Sequence, residues 1–135
     1  KNLILNPGGG HVGIGTTDPS FPLQMGSGAY VSAGGVWTNA SSREYKQDIK
    51  DLACDEALDA LNSLKPVKFN YKVNPEESHV GFIAEDAPDM VATKDKKGMS
   101  PMDVVAVLTR VVQDQQKTIE KLSRKVARLE SLDDQ

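Results

Sequence analysis

The sequence predicts an α+β chain in three parts: a glycine-rich β segment over residues 1–40, a small α/β core over 41–98 and a long C-terminal coiled-coil helix over 99–135. Three observations predict it. Nine of the eleven glycines lie in residues 1–40, where only Lys1 and Asp18 are charged, whereas nearly all other charge lies beyond Ser41. Between Leu52 and Ile83 the apolar residues recur first at helical spacing and then in alternation with polar ones. From Val105 onward they repeat about every 3.5 residues, the period of a coiled-coil seam.

In the first part, the short apolar runs Leu3-Ile4-Leu5 and Val12-Gly13-Ile14 are separated by the turn formers Asn6-Pro7-Gly8 and Thr17-Asp18-Pro19. That pattern predicts short strands and tight turns. An array so small and so rich in glycine cannot bury a core alone. It is expected to gain stability by winding against copies of itself, as the end of a β shaft does.

The second part opens on the polar run Ser41-Ser42-Arg43-Glu44-Tyr45-Lys46-Gln47-Asp48-Ile49. Leu52, Ala57, Leu58, Leu61 and Leu64 then predict a helix that Pro66, lacking an amide hydrogen, brings to an end. Val67, Phe69 and Tyr71 alternate with Lys68, Asn70 and Lys72, which predicts a half-buried strand. Asn74-Pro75 predicts a turn, Val80-Gly81-Phe82-Ile83 a strand that pairs with the first, Glu85 to Asp89 a short helix or turn, and Lys94 to Gly98 a polar loop.

The third part carries the plainest signal. Ser100-Pro101-Met102-Asp103 sets a capping serine, a first-turn proline and an acidic residue in helix-starting order. With Val105 as position a, the a and d sites hold Val105, Leu108, Val112, Gln115, Ile119, Leu122, Val126 and Leu129, all apolar except Gln115. Such a seam calls for partner helices in a left-handed supercoil, with Lys125 at g and Glu130 at e placed to pair between parallel chains. A single amphipathic helix docked on its own domain is the other reading of the same pattern.

Several function classes fall away. A chain of 135 residues suits one modest unit with appendages, and it has neither the apolar run of a secretory signal nor that of a membrane span, so no membrane partner is expected. It opens on Lys1 rather than Met, and we read it as part of a longer polypeptide. Cys54 is the sole cysteine, which removes a disulfide within these residues and cysteine metal clusters. The formal net charge is −3 with both signs interspersed, so there is no basic stripe for nucleic acid. Gly8-Gly9-Gly10-His11-Val12-Gly13 matches G-x-G-x-x-G in letters only, because Gly13 to Pro19 make a poor helix start and no crossover unit comes after them. His11 and His79 lack neighbouring ligands at metal spacing, and neither a metal nor any other cofactor is expected.

Ser41 and Lys46 are the candidate catalytic pair. Five residues apart they lie about 140° from each other around a helix and on opposite faces of a strand, so only a bend or a neighbouring chain can join them. On spacing alone they read more readily as residues of a solvated turn.

Four ordered blocks carry a family resemblance: the Ser41–Ile49 run, Leu64-Lys65-Pro66-Val67-Lys68-Phe69-Asn70-Tyr71, His79-Val80-Gly81-Phe82-Ile83-Ala84-Glu85-Asp86, and the terminal coiled coil. Together they resemble the endosialidase-type intramolecular chaperones at the C-termini of phage tail spikes and fibres, over about residues 36–130. Val12-Gly13-Ile14-Gly15-Thr16-Thr17-Asp18-Pro19 resembles the shaft sequence often found upstream of them. The resemblance implies a homotrimer that helps the upstream β-helical shaft of the same polypeptide to wind and then cuts itself free. It implies a scissile bond between Ala40 and Ser41, with Ser41 as nucleophile and Lys46 as general base, each chain cutting once. A lysine serves as base only when neutral, a form favoured by burial in an assembled interface. The upstream part would then belong to a virion tail, and the chaperone would be released in the host cytoplasm. Many members carry Asp after the serine and a second basic residue before the lysine, where Ser42 and Glu44 stand here. Two other classes stay open: a non-cleaving trimerisation cap of a fibre or surface adhesin, and a receptor- or glycan-binding fibre tip, for whose sugar-stacking platform Trp37 and the few other aromatic residues are too scattered.

Overall fold

The computed structural model describes residues 5–6 and 8–133. They form two compact units, one ending at Lys50 and the other beginning at Asp51. Leu3 and Ile4 of the first expected strand, and Pro7 of the turn after it, lie outside the described residues.

The first unit is a sheet of four very short strands in sequence order, β1 (Val12–Ile14), β2 (Leu23–Met25), β3 (Tyr30–Val31) and β4 (Trp37–Thr38). β1 runs parallel to β2 with Val12 opposite Leu23, and the remaining pairs are antiparallel. A parallel pair normally needs a long crossover, yet here Gly15–Pro22 suffices. Local hydrogen bonds hold that connection. His11 Nδ1 donates to the Pro19 carbonyl at 2.8 Å, the Ser20 amide to Gln24 Oε1 at 2.7 Å and the Gly26 amide to the Ile14 carbonyl at 2.8 Å. At Gly26 a Cβ would collide with the Gly15 carbonyl, so the two backbones meet only because the residue is glycine. Phe21 stacks on Tyr30 with ring centroids 3.6 Å apart. No described residue of this unit is buried. Hydrogen bonds and one aromatic stack therefore hold it, rather than a core.

The second unit has α1 (Cys54–Ser63), the hairpin β5 (Val67–Tyr71) and β6 (Asn74–Gly81), a 3-10 turn over Ala84–Asp86, and α2 (Pro101–Asp133). Its core is small: Ala57 and Ala60 of α1, Ala87 and Val91 of the connection, and Val107 and Val111 of α2. The alanines sit three residues apart on one face of α1, and their size lets α2 come close enough for Val107 to be only 1 % exposed. Leu52, Leu61 and Leu64 pack around this contact, whereas Leu58 is 43 % exposed and lies off the buried face. α1 ends as expected before Pro66, with the Leu64 amide donating to the Ala60 and Leu61 carbonyls.

The hairpin differs from expectation in its turn. Chain reversal falls on Lys72-Val73, and Asn74-Pro75 already belong to β6. Pairing shifts between Asn70 and Tyr71, and Asn70 Nδ2 donates to the Pro75 carbonyl at 2.8 Å. Proline is tolerated there because β6 is an edge strand in a two-stranded sheet. α2 starts at Pro101 as its capping sequence predicts. It presents two apolar faces. Val104, Val107 and Val111 pack inward against α1, while Val105, Leu108, Val112, Ile119, Leu122, Val126 and Leu129 stay 41–62 % exposed along the seam. The helix thus docks on its own unit and keeps the heptad face open.

The close helix contact predicts an inverted size dependence. Ala60→Leu should destabilise the second unit by about 1–3 kcal/mol through overpacking. Leu58→Ala should cost about 1 kcal/mol or less, because the larger side chain is the exposed one. Urea unfolding of the two variants, monitored by helical circular dichroism, checks the order.

Candidate active site

Ser41 and Lys46 flank a single 3-10 turn formed by Arg43–Tyr45. Ser42 caps it from an extended conformation, its Oγ accepting from the Glu44 amide at 3.3 Å. The Tyr45 and Lys46 amides donate to the Ser42 and Arg43 carbonyls at 3.2 and 3.1 Å, and Lys46 itself is extended again. One tight turn between two extended residues is a bend, the element that neither a regular helix nor a strand could supply. Serine at 42 suits it because a short side-chain oxygen is what a cap requires, a task that Asp performs equally well.

The bend brings the pair together within one chain. Lys46 Nζ donates to Ser41 Oγ at 2.8 Å. Both residues are exposed, whereas Ala40 immediately before them is half-buried. The Ala40–Ser41 peptide therefore joins a partly covered residue to one that faces solvent.

Other reactive groups are differently placed. Cys54 is a free thiol whose pKa is pushed up by desolvation first and by the Asp114 carboxylate second, which keeps it protonated and a poor nucleophile. His11 is engaged with the Pro19 carbonyl. His79 stacks among Phe69 and Tyr71 on the hairpin, at centroid distances of 5.8 and 5.1 Å. In the loop before α2, hydrogen bonds from Thr93 and the Lys97 amide hold the Asp95 carboxyl below its usual range, and Lys96 does the same for Asp89. Among the described residues no group of His, Cys, Asp and Glu is placed to hold a metal ion, and no helix is long and apolar enough to cross a membrane.

The sequence does not reveal what lies behind the bend. The Cα of Gly28, in the β2–β3 turn, faces both Tyr45 and Ala40, so that a Cβ built there would lie 3.3 Å from Tyr45 Cε2 and 3.4 Å from the Ala40 Cβ. Gly28 has φ +92°, and the one sequence signal for such a conformation is that the residue is glycine.

No curated protein and no solved structure matches this chain. A peptidase family model described as the chaperone of endosialidase does match, over residues 41–93, so that its first residue is the serine of the bend. The match supports an endosialidase-type chaperone domain over the segment from Ser41 to Thr93.

Proposed function

We propose that this chain is a self-cleaving intramolecular chaperone: it trimerises through α2, templates the winding of an upstream β-helical shaft, and cuts itself free between Ala40 and Ser41. The observation that carries the reading is the 2.8 Å hydrogen bond from Lys46 Nζ to Ser41 Oγ, at the first residue of the matched domain. The exposed apolar seam of α2 supports the assembly part, since seven large apolar side chains on one stripe are costly to leave in water.

The chemistry depends on where the nucleophile stands. Lys46 removes the Ser41 hydroxyl proton, and Oγ attacks the carbonyl carbon of Ala40. Attack closes a ring of that carbon with Ser41 N, Cα, Cβ and Oγ. Collapse breaks the C–N bond, the upstream chain becomes an ester on Oγ, and the proton passes to the departing Ser41 nitrogen. Water then hydrolyses the ester, leaving a carboxylate on Ala40 and restoring the Ser41 hydroxyl. A lysine performs the first step only as the neutral amine, and burial in an assembled interface favours that form. Cleavage is thereby tied to assembly. Removing the template leaves the wound shaft kinetically trapped, its lifetime set by an unfolding barrier. The shaft would remain in the virion tail and the released domain in the host cytoplasm.

The exposure of Ser41 and Lys46 in the single chain favours one second reading, a non-cleaving trimerisation cap of a fibre or adhesin. The same measurements separate the two.

Ser41→Ala and Lys46→Ala should each give a full-length chain that still trimerises, as judged by intact mass and light scattering. A fragment beginning at residue 41 from either variant rules out the pair. Leu122→Asp or Val112→Asp should abolish trimers, because carboxylates would meet in one buried layer, and cleavage should be lost with them. Finally, in mixed trimers of differently tagged Ser41→Ala and Lys46→Ala chains, neither should be cut, since each lacks one member of its own pair. A cut Lys46→Ala chain would place the base on a neighbouring subunit.

A further inference from the structure

An exposed hydrogen bond between a serine and a flexible lysine is weak, so the bend by itself does not hold Nζ and Oγ in a reactive arrangement. Something must fix both ends. The residue before each member, Ala40 before Ser41 and Tyr45 before Lys46, closes on the same point, the bare Cα of Gly28. Gly28 is itself part of a hydrogen-bonded turn. Its amide donates to the Met25 carbonyl at 2.9 Å, the Met25 amide donates to the Ala29 carbonyl at 2.7 Å, and the φ of +92° is one that only glycine adopts without strain.

We propose that Tyr45 and Gly28 are positioning residues for the self-cleavage reaction: the Tyr45 ring, seated on the glycine of the β2–β3 turn beside Ala40, holds Lys46 against Ser41 and the scissile carbonyl. The proposal rests on the reading of Ser41 and Lys46 as the cleaving pair. Neither residue touches the reacting atoms, and both act through the bend. Tyr45 is 63 % exposed, so it is not core material, and the loss of its ring should leave the fold in place. The seat belongs to the strands upstream of the cut. The pair is therefore completed only once the β2–β3 turn has formed, which makes cleavage responsive to the folding of the segment it releases.

The test is the first-order rate of self-cleavage of the full chain, measured by intact mass across pH, with trimer content and melting temperature determined in parallel. Tyr45→Ala should cleave about ten- to a hundredfold more slowly than the parent, the scale of loss expected from misplaced reacting groups. Its trimer content and melting temperature should be unchanged. Tyr45→Phe should restore the rate. Gly28→Ala should slow cleavage similarly, by pushing the ring and Ala40 off the turn. A positioned base makes the rate rise with pH and then level off, and Tyr45→Ala should lose that plateau while Tyr45→Phe keeps it, a signature that mere loss of stability does not produce. Parental rates in Tyr45→Ala trimers, or slowing that simply tracks a loss of trimer, would overturn the proposal. Ser41→Ala is the control for the underlying reading. If it still cleaves, the pair is wrong and the positioning claim falls with it, a result distinct from an inert Ser41→Ala beside a fast Tyr45→Ala.

Discussion

The second unit depends on the contact between two alanines and two valines. Ala57 and Ala60 on α1 are small enough for Val107 and Val111 of α2 to sit directly on them, and every other buried residue of the core gathers at this crossing. A helix with an apolar seam could in principle rotate to bury it against its own domain. Here the inward face is already taken. With Val104, Val107 and Val111 turned to the core, the heptad stripe stays exposed, and the rotation of α2 is set by packing within the unit.

The first unit obeys a different constraint. Its strands are two or three residues long, none of its described residues is buried, and its geometry is set by hydrogen bonds and by glycines that let backbones approach. Such a structure has little to hold it in isolation. The two units thus differ in kind: one has a core, and the other is held by hydrogen bonds and close backbone approaches.

α1, β5 and the start of α2 are legible in the sequence because period, proline and capping signals agree there, and each is a local property. The hairpin turn lies two residues before the place its residues predict. Asn-Pro is a strong turn signal only when no neighbouring strand claims it, and pairing with Tyr71 draws Asn74 into β6. Spacing groups Leu58 with the buried face of α1, yet that face is narrow and alanine-lined, so the larger residue stays outside. The inward face of α2 is hidden in the sequence because its valines lie between heptad positions and only tertiary contact distinguishes them. At the candidate site, the need for a bend is evident from spacing alone. The seat on Gly28 is not, since it joins residues far apart in sequence through an atom that is absent.

The 2.8 Å approach of Lys46 Nζ to Ser41 Oγ has a consequence for the state after the proposed cut. Breaking the peptide before Ser41 leaves a new α-amino group on the residue that already faces the lysine. Two amines then share a space that had held one, and whenever both carry a proton they repel each other. The lysine side chain is long and exposed, so it relieves that repulsion by swinging away into solvent. On the proposed reading the product would thus disperse the pair that made it, and the site would be spent by the same event that completes its task.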